Sequence, residues 1–465
     1  MRRGAGGRRP RFRRAGALAA ALAVGGLTAP TPSIAQSPPL PDTIDITRAI
    51  RIALSESPVL RISRTQADRA GADRLAAWGA FLPTANVSAD LGRSSFSRTT
   101  FVGEEGLSET LPGILTSSSQ SARQTRGMSW VVLDRGRRFS EISRSAASLR
   151  AAQRYYDDRQ REVVLTVRRD FLEALRRQEL LELTRTQIAD RELELEIASR
   201  RYEIAAVERT DLLAAEGNLL NARIALAAEE NQLRAGLRQL VVSMGLPPDT
   251  GQGLVLTGDD GMPEGIPDID FIVQTAVTSD PELAALDAER AAAAASLWTA
   301  RARYLPQVSV NLGWSRSENF GPEDSFWQFD PGDTSHGFSI TASWSLFDGF
   351  QRERENAQAS AVRRQAEEDL RRRRLEIERD VRRYGDDISQ LAQTLDLLER
   401  VYAISRERLE MQQERYRLGT VSFTELQQAI DAVQRAETDL IQRQYDYRIT
   451  WSSLAEYIEA GPGSP

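Results

Sequence analysis

Arg415–Ala436, RYRLGTVSFTELQQAIDAVQRA, reads back onto Arg201–Ala222, RYEIAAVERTDLLAAEGNLLNA, at an offset of 214 residues. The same offset relates Trp344–Arg352, WSLFDGFQR, to Trp130–Arg138, WVVLDRGRR. A register held over that distance marks helices without insertions and an internal duplication. Further upstream, AFLPTANVSADLG pairs with RYLPQVSVNLG at an offset of 223, with Leu82-Pro83 opposite Leu305-Pro306. The nine extra residues fall between Pro83 and Trp130, in a Gly-, Ser- and Thr-rich stretch that reads as an enlarged loop.

Each half then reads alike. A helix comes first, over 47–80 and 268–303, and the Leu-Pro ends it. Two alternating segments follow. Val308, Val310, Leu312 and Trp314 share one face; Phe338, Ile340, Ala342, Trp344 and Leu346 repeat the pattern. Period two means strand, giving four strands per chain. A long helix follows, over 136–202 and 350–416. Leu181, Ile188, Leu195 and Tyr202, matched by Leu395, Tyr402, Leu409 and Tyr416, recur every seventh residue. That spacing indicates coiled-coil packing, and about 67 residues span roughly 100 Å. Shorter helices return over 210–243 and 422–457. The Gly-, Pro- and Asp-rich Gly245–Pro267 reads as a linker on the outside of the helices.

Charged residues make up 27% and aromatic residues 7% of 465, which suits long solvated helices better than one large core. There is no cysteine, hence no disulfide, thiolate nucleophile or lipid anchor on cysteine. Arg2, Arg3, Arg8, Arg9, Arg11, Arg13 and Arg14 precede an apolar run from Ala15 to Ala29 and the small-x-small Ser33-Ile34-Ala35. This is a signal-peptide pattern over 1–35. Its removal takes seven arginines and no acid, moving the formal charge from −6 to −13. An acidic mature chain argues against nucleic acid as a partner. No later stretch has the roughly 18 consecutive apolar residues of a spanning helix, so membrane entry would be by strands. The expected organisation is signal peptide 1–35, first repeat 36–245, linker 246–267, second repeat 268–460 and tail 461–465.

Four strands cannot close a barrel, and their open edges call for copies of the chain. The duplication, the Leu-Pro before each strand pair, Asp134 and Asp348 ending strands, and above all RYRLGTVSFTELQQA at 415–429 resemble the TolC-like outer-membrane efflux proteins. The resemblance covers nearly the whole mature chain. It implies a mainly α fold with a β-barrel part: a homotrimer with a 12-stranded barrel in outer-membrane lipid and a 12-helix periplasmic tunnel. It also implies a periplasmic adaptor, an inner-membrane pump and a Gram-negative outer-membrane location. The duct would catalyse nothing and need no cofactor or metal, and would pass small molecules such as drugs or a secreted protein.

The resemblance also places sites. Arg417, Leu418, Gly419, Thr420, Val421 and Ser422 match the tip where the adaptor docks. Gly419 suits a helix end with positive φ, and Ser422 with Glu425 has capping-box spacing. Glu425 occupies one acidic pore position and Gln428 a second, giving three carboxylates per trimer where six are usual. A cap and a pore charge are both open to Glu425. Asp211 and Tyr416 match a latch between helices, with Val421 replacing its arginine. The first tip departs from the motif, with Ala205 opposite Gly419 and Glu208 opposite Ser422.

Two other classes of protein, an enzyme and a soluble scaffold or adaptor, fit the residues less well. Acid pairs on heptad helices are usually solvated ion pairs, and a di-metal bundle site would want Glu-x-x-His twice, whereas the sole histidine, His336, falls in a strand region. A soluble periplasmic scaffold or adaptor would not be expected to carry two equivalent strand pairs.

Overall fold

A computed structural model describes residues 43–104, 107–204, 208–258, 261, 265, 268–320 and 333–459. The signal-peptide reading and the tail 461–465 lie outside the described residues. In chain order the elements are β1 (Thr43–Ile44), α1 (Ile46–Glu56), α2 (Pro58–Gly79), β2 (Thr84–Glu104), β3 (Leu107–Asp134), α3 (Arg137–Glu203) and α4 (Arg209–Ser243). Then follow β4 (Val255–Leu256), α5 (Ile269–Ser279), α6 (Pro281–Ala302), β5 (Gln307–Phe320), β6 (Asp333–Ser343), α7 (Gln351–Arg417) and α8 (Phe423–Glu459).

The single helices expected over 47–80 and 268–303 are each two. Pro58 and Pro281 open new helices at the first position, and the preceding Ser57 (φ −57°, ψ 121°) and Asp280 (φ −64°, ψ 122°) are driven out of the helical region. Asp280 also caps α6, accepting from the Leu283 amide at 2.7 Å.

One antiparallel sheet runs in the order β2-β3-β5-β6. Pairing of β3 with β5, from Gln120 opposite Phe320 to Asp134 opposite Gln307, joins the two halves. The enlarged loop expected between Pro83 and Trp130 is instead strand. β2 and β3 have 21 and 28 residues, so the inserted stretch belongs to the strands. Its Ser and Thr residues form a pleat that pairs in register from Thr84–Ser129 out to Val102–Leu111.

Both strand-to-helix junctions are built alike. Arg135 and Gly136 are left-handed (φ 63° and 74°), as are Gly349 and Phe350 (φ 66° and 65°). Two successive left-handed residues turn the chain from sheet into helix, at about 1–2 kcal/mol for the non-glycine member. A buried ion pair holds each turn: Asp134 with Arg138 at 2.9 Å, and Asp348 with Arg352 at 3.1 Å. The Trp130 and Trp344 indoles donate to the Phe81 and Tyr304 carbonyls at 3.1 and 3.0 Å. The duplication is therefore structural down to single hydrogen bonds.

Two of the cores in the helical region lie one in each half. Phe171, Leu240 and Met244 lie in the first, and Ile377, Ile388 and Leu454 in the second. The linker is not simply external. Leu246, Leu254 and Leu256 are sunk in the first core, β4 pairs in parallel with β1, and Gln178 of α3 holds Leu256 through its amide and carbonyl at 3.0 and 3.1 Å. Leu172 and Leu180 of α3 meet Ile441 and Tyr445 of α8, sealing the halves together. Among the described residues, no helix is long and apolar enough to cross a membrane.

Candidate functional site

The end of the helices remote from the sheet carries the candidate site. α7 stops in a Schellman turn: Gly419 has φ 74°, the Thr420 amide reaches the Arg415 carbonyl at 2.9 Å, and the Gly419 amide reaches that of Tyr416 at 3.1 Å. α8 then starts with the expected capping box. The Glu425 amide donates to Ser422 Oγ at 3.3 Å, and the Ser422 amide donates back to Glu425 Oε2 at 3.0 Å. Glu425 and Gln428 are both exposed and one turn apart on α8.

The six tip residues divide. Arg417, Leu418, Gly419, Thr420 and Ser422 are exposed, while Val421 is half-buried against Tyr416, Phe423 and Leu426. Leu418 is an apolar side chain 63% exposed at the apex. Beside it Arg417 pairs with Glu414 at 2.7 Å, and the pair holds the Glu414 carboxyl below its ordinary pKa. On the first tip, residues 205–207, and with them Ala205, lie outside the described residues. Glu208 precedes α4 without a side-chain cap.

The expected bond between Asp211 and Tyr416 does not form within the chain. Tyr416 is buried with its hydroxyl unpaired, and Asp211 sits half-buried in the first turn of α4. Tyr416 is held differently. The Arg201 guanidinium lies 4.3 Å from its ring centroid and donates to its carbonyl at 3.3 and 3.4 Å, while Phe423 packs at 6.1 Å. Cation–π contact and helix-end charge both favour this arrangement.

Sequence reasoning missed a second set of side chains just above the tip. Arg191 of α3, buried, donates to Gln427 at 2.6 Å, Asp431 at 2.7 Å, Gln434 at 2.8 Å and Glu194 at 3.1 Å. Gln427 in turn donates to Glu194 at 2.8 Å and accepts from Asn218 of α4 at 2.8 Å. Burial opposes the arginine's charge, yet the Asp431 and Glu194 carboxylates leave its pKa raised. Gln427, Asp431 and Gln434 are spaced by four and three residues, one face of a helix. That spacing was the available signal, but nothing in one sequence says that residue 191 faces it.

The site thus lies at the end of long paired helices that continue from an antiparallel sheet. No group of His, Cys, Asp and Glu able to hold a metal occurs among the described residues. The profile of the family described as outer membrane efflux protein matches residues 49–246 and 272–459. The chain belongs to that family: it is an outer membrane efflux protein. It is similar to Protein CyaE of Bordetella pertussis, 28% identical over 355 residues, covering 75% of this chain and 71% of that protein. In fold it resembles the Campylobacter jejuni CmeC outer membrane channel (TM-score 0.74, 14% identity, 90% of this chain and 86% of that one). It likewise resembles the open-state Neisseria gonorrhoeae MtrE outer membrane channel (TM-score 0.68, 18% identity, 89% and 88%).

Proposed function

We propose that three copies of this chain, each built from the repeats 36–245 and 268–460, form a passive exit duct served by a periplasmic adaptor and an inner-membrane pump. One observation carries the reading. Among the described residues, the four-stranded sheet ends at β2 and β6 with no further strand beyond either. An apolar sheet face with open edges calls for more strands, and three copies supply twelve. The helices support this independently. Leu397, Ile404 and Met411 of α7 and Leu418 just past its end recur every seventh residue, each 55–66% exposed. Such a heptad stripe wants a partner helix.

In this reading Leu418, Arg417, Gly419, Thr420 and Ser422 meet the adaptor, with Val421 supporting them from inside. Glu425 and Gln428 line the narrow end, and Asp211 and Tyr416 belong to the latch between neighbouring helices. Cargo, whether small molecules or a secreted polypeptide, is chosen by the pump. Light scattering of the detergent-purified protein is expected to give three chains per particle, and planar bilayers to show discrete conductance. A monodisperse monomer without conductance would overturn the proposal.

A further inference from the structure

The two faces of the sheet differ in how they carry charge. On one face, Ser88 meets Thr125 at 2.6 Å and Ser315 meets Ser335 at 2.7 Å, and Asp90 stands opposite Arg123. Polar residues with a cation matched by a carboxylate befit a water-filled lumen. The other face starts apolar near the helices. Trp130, Val310 and Ile340 form one cross-strand row, and Ala85, Met128, Leu312 and Phe338 the next. Met128, Leu312 and Phe338 are exposed by 40%, 46% and 65%, as a lipid-facing surface requires.

The following row changes character. Val87, Arg126, Trp314 and His336 stand side by side on β2, β3, β5 and β6, and the row beyond holds Ala89, Gln124, Arg316 and Thr334. The Arg126 guanidinium lies 4.7 Å from the Trp314 ring centroid. Its cross-strand neighbours are Val87 and Trp314, and among the described residues no carboxylate lies within ion-pair reach of it. Arg316 pairs with Glu318 at 3.5 Å. From Leu305, where β5 is about to begin, to Trp314 the chain runs roughly 30 Å at about 3.3 Å per residue. At a tilt of about 40° that is about 23 Å along the membrane normal, close to the ~25 Å apolar band of such barrels. Trp314 therefore marks the far interface, and Arg126 stands at headgroup height. An unpaired arginine costs about 2–4 kcal/mol at the bilayer midplane and close to nothing at the interface, so this is the level that tolerates it.

We propose that Arg126, Arg316 and His336, arrayed around Trp314, form an outward-facing site for the phosphate of the phosphorylated glycolipid of the outer leaflet. The guanidiniums take the phosphate by charge-assisted hydrogen bonds, the imidazole adds a donor, and Gln124 and Thr334 offer polar contacts to the sugar. The Met128–Leu312–Phe338 row beneath receives the acyl chains. The cation without a protein counter-ion selects an anionic headgroup, and the apolar row directly below selects one that carries chains. The inference rests on the outer-membrane placement but not on the cargo, the adaptor or the tip.

The test uses full-length protein purified in detergent, with native mass spectrometry and a retention assay for labelled lipid. The probes are bis-phosphorylated lipid A, its dephosphorylated form and phosphatidylglycerol. Wild type is expected to retain bis-phosphorylated lipid A and not the dephosphorylated form. Arg126→Gln should weaken retention about tenfold, the scale of one charged hydrogen bond. Arg126→Gln with Arg316→Gln should weaken it further, and the lumen control Arg123→Gln should not change it. Equal retention of both lipid A forms, equal retention of phosphatidylglycerol, or an Arg126→Gln variant that binds like wild type would each overturn the site. Bilayer conductance of the same preparations reports the duct separately, so loss of the lipid site and failure of the channel reading are distinguishable.

Discussion

Arg191 offers the sharpest perturbation of the tip. Arg191→Met removes the charge and keeps much of the volume. It deletes four hydrogen bonds, of which those to Gln427, Asp431 and Gln434 cross from α3 to α8. Breaking a fully buried pair costs about 3–5 kcal/mol. Two features lower that figure here: the Asp431 side chain is 49% exposed and can rehydrate, and Glu194 keeps its 2.8 Å bond from Gln427. The remaining loss is about 2–3 kcal/mol, or roughly a 30- to 150-fold rise in local separation of α3 from α8. Hydrogen exchange reads this directly. Amides over residues 423–436 are expected to exchange faster by that factor, while those around Leu240 and Ile377 in the two cores stay protected. Asp431→Asn should be less than additive with Arg191→Met, because both remove the same bond. Wild-type exchange at the tip in Arg191→Met, or acceleration spread evenly over both cores, would refute the assignment of a tip lock to this residue.

Three further outcomes follow from the same geometry. Glutamine can replace glutamate in a capping box, so Glu425→Gln should keep the wild-type melting temperature while lowering cation selectivity in bilayers; Glu425→Ala should lower both, the cap loss amounting to about 1 kcal/mol. Gly419→Ala would meet nothing within 4 Å, so its cost is the φ of 74° alone, about 1 kcal/mol, read as local hydrogen exchange at the tip without loss of fold. Burial pushes the Glu456 carboxyl up to about 7, Arg161 opposing and Asp158 adding to it. A carboxyl raised in the folded state stabilises below its unfolded value near 4.5, and that stability is lost as pH rises through 7. Glu456→Gln should therefore raise the melting temperature at pH 8 relative to wild type and leave the difference near zero at pH 4.5.

The long elements were legible because their signals are periodic and redundant. Heptads carried α3 and α7 to within a residue of their ends, and the constant offset of 214 carried the duplication. The capping box at Ser422 and the left-handed Gly419 were legible because each depends on residues within one turn. What failed depended on competition or on distant neighbours. Ser57-Pro58 and Asp280-Pro281 look tolerable at a helix start, so an apolar run crossing them read as one helix; the steric demand of proline on the preceding residue prevailed. The Gly- and Ser-rich insertion read as loop because isolated composition says so, whereas pairing along β3 makes it strand. Leu254 and Leu256 looked like linker residues because their burial comes from β1 and α3, far away in sequence. Arg191 was invisible for the same reason, as was Arg201 stacking on Tyr416.

The duplicated halves are alike near the sheet and differ at the tip among the described residues. Near the sheet they are interchangeable: Asp134–Arg138 and Asp348–Arg352 close the same turn, with glycine merely moved from its second position to its first. At the opposite end the symmetry is gone. α7 and α8 are joined by a Schellman turn and a reciprocal cap, so their hairpin is closed by backbone geometry. Among the described residues the α3–α4 tip shows no such reciprocal cap. Its helices are tied sideways to the other hairpin: α3 through Arg191 and Arg201, α4 through Asn218. Beside these polar ties, Leu195 and Ala198 of α3 and Leu212 and Ala215 of α4 pack in one apolar cluster with Tyr416, Phe423, Leu426 and Ile430.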